Sequence, residues 1–339
     1  MMRPSGARRG QGASQPGVYE AGYRVLGGAE QYVQIRGEDG ENPVVLVLHG
    51  GPGSPMSDWS WRWQRELEGR YTIVHWDQRG CGNTYFRSRT GERPTVERLL
   101  ADLDELVDQL RTQLGQEKLL LLGHSWGTFL GGLYVGKRPE KVAAWLPVSQ
   151  MVDFKGSERC STQEAARRAR AAGKERDARE LEAGLERLLA CRDFGRDEAR
   201  ALLALRQKKE RYLPPQYGRG MLALRLRSPD RTRNSLRWMV SFGGMVEANR
   251  ALYEALLSGG HTLPSRYEVP VAMIAGEDDW TTPYPMAREY FSRISAPDKR
   301  FVTVKGGHIP FLEEGFGQVL SSALDWALDT GRSKGAGRT

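Results

Sequence analysis

The chain has 339 residues, 39% hydrophobic and 27% charged, with a net charge of +8. That length suits one large domain, or a core domain carrying an insertion. No run approaches the ~18 consecutive apolar residues of a membrane span. The positive balance does not describe a nucleic-acid surface, because residues 1–17 and 331–339 hold six of the excess charges and no acids. A nucleic-acid face needs cations clustered on folded structure. Residues 1–17 lack the apolar core of a secretory signal. Three cysteines, Cys81, Cys160 and Cys191, form no spacing pattern and point to a reducing compartment, the cytoplasm.

Taken in order, residues 1–24 read as a flexible tail. Gln31-Tyr32-Val33-Gln34-Ile35-Arg36 alternates as a half-exposed strand does. Val44 to Leu48 forms a buried strand that runs into His49-Gly50-Gly51-Pro52-Gly53, a loop made almost wholly of backbone. Tyr71 to Trp76 is another strand, followed by Asp77-Gln78-Arg79-Gly80-Cys81-Gly82, in which Asp77 and Arg79 are expected to form a structural ion pair. Arg93 to Leu114 carries Leu99, Leu103, Leu106, Val107 and Leu110 at helical spacing.

Four leucines, Leu119 to Leu122, then suggest a strand buried on both faces in a parallel sheet. It leads into Gly123-His124-Ser125-Trp126-Gly127. This G-x-S-x-G pattern is a strand-to-helix turn that pushes a serine hydroxyl above the sheet edge. A further strand spans Lys141 to Val148. Strand–helix alternation stops there, and residues 151–265 turn rich in Arg, Glu, Ala and Leu. Leu181, Leu185, Leu188 and Leu189 share one helical face, as do Ala199, Leu202 and Leu203. Trp238, Met239, Val240, Phe242 and Met245 form a more apolar patch. The segment reads as an inserted helical cap that roofs the site. The sheet resumes over residues 266–330 with strands at Val269–Gly276 and Phe301–Val304 and a closing helix from Gly315 to Leu328. Residues 331–339 read as a second tail. The fold class is α/β, a mostly parallel central sheet with a helical cap.

A serine hydroxyl becomes a nucleophile when an imidazole takes its proton and a carboxylate orients that imidazole. Ser125, an aspartate after a later strand, and His308 after the last strand stand in an order that lets three loops converge at the strands' carboxyl ends. Asp279 and Asp278 both fit the acid, with Asp153 a remote third. The oxyanion that forms on attack would meet the N–H of Trp126 and one from the glycine loop, Gly51. His49 is expected to brace that loop, and His75 to be a satisfied core histidine. No metal-ligand spacing and no phosphate- or dinucleotide-binding fingerprint occurs, so no metal and no cofactor is implied.

His49-Gly50-Gly51-Pro52-Gly53, Asp77-Gln78-Arg79-Gly80-Cys81-Gly82, the Ser125 elbow, Gly276-x-x-Asp279 and Gly307-His308 together resemble the prolyl iminopeptidase-like branch of the α/β hydrolases. The resemblance covers roughly residues 25–150 and 266–328. It implies a Ser125–Asp279–His308 triad, which selects Asp279 over Asp278, and release of N-terminal proline from short peptides. The chain departs from that pattern at His124, where glycine is usual, and at Gly315, where proline is usual. The cap also lacks the Glu-Asn-His-Tyr-like stretch that holds a substrate's amino group, leaving Glu247 or Glu210 as substitutes. The apolar patch around Trp238 and Phe242 suits instead an esterase, amidase or lactonase acting on a neutral small molecule. A silent hydrolase-fold binding protein is the third reading. The expected partner is a small peptide or small molecule, with neither nucleic acid nor membrane.

Overall fold

A computed structural model describes residues 16–88, 93–217 and 220–335. Eight strands form one sheet: β1 (Val18–Leu26), β2 (Ala29–Gly37), β3 (Val44–Leu48), β4 (Thr72–Trp76), β5 (Leu119–His124), β6 (Val142–Val148), β7 (Val271–Gly276) and β8 (Lys299–Val304). Their spatial order is β1-β2-β4-β3-β5-β6-β7-β8. β1 pairs antiparallel with β2, and β2 antiparallel with β4; every later pairing is parallel. The leucine- and valine-rich strands β3 and β5 lie at the centre, buried along their whole length as a sheet covered on both faces requires.

Before the insertion the helices are α1 (Trp61–Gln64), α2 (Gly82–Arg87), α3 (Val96–Gln113) and α4 (Trp126–Lys137). On α3 the five predicted apolar positions are buried, and Thr95 caps the first turn by accepting from the Arg98 N–H. Each such leucine removed from water contributes about 1.5–3 kcal/mol. Among the described residues between β6 and β7 come six helices: α5 (Phe154–Ala171), α6 (Glu175–Ala190), α7 (Arg196–Lys209), α8 (Met221–Leu226), α9 (Arg233–Met239) and α10 (Phe242–Ser258). After β7, α11 (Tyr284–Arg293) and α12 (Phe316–Gly335) complete the chain. One apolar core fills the α3/α4 side of the sheet and continues into the helical insertion; the other lies beneath α12.

Five expectations need correction. Part of the expected N-terminal tail, Val18 to Arg24, belongs to β1, where the register Val18↔Gly37 to Leu26↔Ala29 forms a hairpin; residues 1–15 of that tail lie outside the described residues. At the other end α12 continues through Gly335, so only 336–339 of the expected tail lie outside the described residues. Asp77 and Arg79 do not pair. Arg79 grips Asp102 of α3 through Nε (2.7 Å) and Nη2 (3.0 Å), whereas Asp77 accepts from the Ser57 hydroxyl and from the Asn83 backbone and side-chain amides. Leu203 does not join Ala199 and Leu202 in the interior; it is 44% exposed and faces the cleft described below. The apolar patch also divides, since Trp238 is buried while Val240 is exposed.

Candidate active site

The turn after β5 brings the serine forward at a backbone cost. Ser125 has φ +52° and ψ −119°, a conformation that side chains rarely adopt. Its flanking glycines allow the turn to pack. A Cβ on Gly127 would stand 2.0 Å from the Leu48 carbonyl oxygen, and one on Gly123 would stand 2.6 Å from the Gly127 oxygen. Ser125 is the N-cap of α4, so the Trp126 N–H lies in the first turn, where helix N–H groups have no intrahelical partner.

The structure brings together all three predicted side chains. His308 Nε2 lies 2.9 Å from Ser125 Oγ, and His308 Nδ1 lies 3.0 Å from Asp279 Oδ2. An ionised carboxylate only accepts, so Nδ1 carries the proton and Nε2 is left to accept from the serine hydroxyl. Asp279 is itself fixed. Its Oδ1 accepts from the Thr281 and Thr282 backbone amides, and its Oδ2 from the Thr282 hydroxyl. Burial alone would push its carboxyl up, but the adjacent imidazole and these hydrogen bonds hold it below the ordinary range. Asp278 stays half-buried outside this arrangement. Asp153 caps α5 by accepting from the Lys155 and Gly156 amides.

Gly50 and Gly51 border the same cleft as Ser125, and Gly51 has φ +117°. His49 braces this loop as expected: its Nε2 accepts from the Gln78 N–H. Gln78 in turn accepts from the Trp126 indole, tying the glycine loop to the elbow. His75 is bonded to Gln64 in the core. Burial lowers His49 to about 4 and His75 to about 3, so both are neutral at physiological pH.

Sequence reasoning missed several supports. His124, recognised only as a departure from pattern, packs at 5.1 Å from the His308 ring, and its Nε2–H donates to the His308 carbonyl. Burial first, and then the neighbouring His308, lower it to about 3. The Ser149 hydroxyl donates to the same carbonyl. Gln216, in the insertion after α7, donates to the Asp278 carbonyl and accepts from the Trp280 and Thr281 amides. Its own carbonyl accepts from the His308 N–H. One residue of the insertion thus clamps both the acid loop and the histidine loop. Only Pro214-Pro215 beside it hinted at a fixed conformation.

The insertion roofs a cleft of about 300 Å³ whose floor holds Ser125 and His308. Trp238 anchors the roof by donating to the Gly53 carbonyl at 2.8 Å, and Arg225 donates to the Pro55 carbonyl. Phe154, Leu203, Tyr217, Met245 and Tyr253 supply an apolar to amphipathic wall. Neither acid considered for holding an amino group reaches it: Glu247 pairs with Arg93 at the surface, and Glu210 borders a separate small cavity. A roomier groove, about 510 Å³ beside Cys191, contains none of the predicted site residues.

A strained serine after a central parallel strand, with its histidine and aspartate on later strand exits, defines an α/β hydrolase site. The chain belongs to that family, whose model, described as alpha/beta hydrolase fold, matches residues 43–315. It is 28% identical over 293 residues to a probable aminopeptidase, YbaC, of Bacillus subtilis, spanning 85% of this chain and 90% of that one. It is 34% identical over 128 residues to a proline iminopeptidase of Heyndrickxia coagulans, but there it spans only 41% of the relative. Among solved structures it resembles a proline iminopeptidase-related protein of Thermus thermophilus (24% identity, TM-score 0.56, 92% of this chain and 99% of that one). It resembles to the same degree an epoxide hydrolase of Vigna radiata (21% identity, TM-score 0.56, 91% and 97%). At such identities the structural likenesses speak to the fold.

Proposed function

We propose that this chain is a serine hydrolase that opens an ester or amide bond of a small substrate through an acyl-enzyme. The observation that carries the reading is the unbroken hydrogen-bonded relay from Asp279 through His308 to Ser125 on the floor of a roofed cleft. Ser125 Oγ attacks the carbonyl carbon while His308 Nε2 takes its proton, and Asp279 stabilises the resulting imidazolium. The oxyanion is assigned to the N–H groups of Trp126 and Gly51, each such donor lowering the barrier by about 3–4 kcal/mol. His308 then protonates the leaving group, and water, deprotonated by the same imidazole, releases the acyl group.

The relatives support a peptidase that frees an N-terminal residue, proline favoured, from short peptides. A second reading, an esterase, amidase or lactonase, is favoured by the cleft itself: among the described residues no carboxylate lines it that could receive a substrate ammonium. Proline and alanine naphthylamides, their N-acylated forms and a p-nitrophenyl ester panel separate the two. Equal rates on the acylated forms reject the peptidase, while a fluorophosphonate that fails to label Ser125 rejects the hydrolase reading altogether. The cytoplasm is the compartment this reading assigns, in keeping with three unpaired cysteines. Among the described residues no helix is long and apolar enough to cross a membrane.

A further inference from the structure

The insertion gives the cleft two guanidinium groups, Arg206 and Arg225, and their ion pairs differ. Arg225 is matched one to one, with Nη1 3.2 Å from Asp58 Oδ2. Arg206 shares its acid. Its Nε and Nη2 donate to Glu158 Oε1 at 2.8 and 2.6 Å, while Lys209 Nζ donates to Glu158 Oε2 at 2.6 Å and to the Ser161 hydroxyl. Two cations therefore lean on one carboxylate. Burial would push Glu158 up, yet Arg206 and Lys209 together hold it down at about 2, so it stays ionised. Burial lowers the Lys209 ammonium, Glu158 pulls it back up, and the like charge of Arg206 lowers it further.

Within this cluster Arg206 alone borders the cleft. The side chains of Glu158 and Lys209 are 1% and 6% exposed, and that of Arg206 is 26% exposed. Its guanidinium lies over the Phe154 ring at 6.0 Å, with Nε and Nη2 committed to Glu158. The Nη1 edge donates to no described residue, and Tyr217 and Tyr253 border the cleft beside it. An arginine donates five N–H groups and accepts none. An ammonium placed here would meet cations, whereas an acid would meet unsatisfied donors and relieve the charge imbalance.

We propose that the cleft recognises its substrate by a carboxylate that docks on the Nη1 edge of Arg206. The proposal rests on the hydrolase reading in that the same cleft holds Ser125. The carboxylate can belong to the acyl chain of a small acid or to the C-terminus of a short peptide.

Calorimetry on the chemically silent Ser125→Ala chain tests this without turnover. One pair of ligands is 4-phenylbutanoate and 4-phenylbutanamide; the other is the dipeptide Pro-Ala and its C-terminal amide. In at least one pair the carboxylate binds tenfold or more tighter than its amide, the scale of a charge-assisted hydrogen bond. Adding Arg206→Gln brings that ratio to about one. Lys209 remains to pair Glu158 in this variant, and circular dichroism verifies its fold. The pair that responds identifies the source of the acid. Ratios near one in both pairs, absence of binding by all four ligands, or a ratio that survives Arg206→Gln overturns the proposal. Fluorophosphonate labelling of the wild-type chain is read beside it: absent labelling with an intact carboxylate preference removes the hydrolase reading and leaves the anion site standing.

Discussion

Asp279→Asn changes one atom and reverses a hydrogen bond. Asp279 Oδ1 accepts from two backbone amides at 2.9 Å, and those donors cannot reorient. The asparagine oxygen must therefore take that position. Its NH2 group then faces the Thr282 hydroxyl and His308 Nδ1, where Oδ2 now accepts at 2.8 and 3.0 Å. An NH2 donates, so Nδ1 has to accept, and the imidazole proton moves to Nε2. That nitrogen lies 2.9 Å from Ser125 Oγ and no longer receives the serine's proton. A wrong tautomer of this kind lowers kcat by about 10⁴, equivalent to about 5.5 kcal/mol on the barrier. Hydrolysis of a p-nitrophenyl ester, followed beside circular dichroism, measures it. A well-folded Asp279→Asn chain with kcat within tenfold of wild type would refute the tautomer argument. The same 10⁴ loss in Asp278→Asn would transfer the role to its neighbour.

Ser125→Ala should abolish turnover by several powers of ten with the fold intact, as steady-state kinetics and a thermal melt will report. Gly127→Ala should inactivate and destabilise together, because its Cβ would meet the Leu48 oxygen at 2.0 Å; overpacking of this type costs about 1–3 kcal/mol or more, visible as a lower Tm and slower Ser125 labelling. Glu158→Gln leaves Arg206 and Lys209 without their shared acid and should cost about 3–5 kcal/mol in denaturant unfolding. Burial raises Asp58 to about 6 despite Arg225, so the folded chain binds its proton more readily than the unfolded chain. Its contribution to stability therefore falls as pH rises from about 4 to about 6. Unfolding curves between pH 4.5 and 7 should show that component disappear in Asp58→Asn.

The chain announced its sheet because β3 is aliphatic throughout, β5 opens on four leucines, and each runs into a glycine-bearing turn. The triad was legible for a related reason: its members sit at strand exits, which local pattern can locate. Choosing Asp279 over Asp278 needed the family resemblance, since neighbouring side chains differ only in direction. What escaped is tertiary. Arg79 has its acid on α3, at Asp102, so adjacency to Asp77 misled. β1 alternates weakly, and five of its nine residues are exposed, leaving little apolar signal in that arm. The Glu158–Arg206–Lys209 cluster joins α5 to α7 across some fifty residues, and no periodicity marks a charge that turns inward.

Gln216 makes the roof part of the machine beneath it. Because its amide and carbonyl bind the loops that carry Asp279 and His308, the insertion is no detachable specificity module. Transplanting another hydrolase's lid onto this sheet, from β6 to β7, would carry away the fastener that keeps base and acid in register. A chimera would inherit a new selectivity only if the donor supplied an equivalent amide at that point; without one, the nucleophile would remain in place with its proton relay slackened.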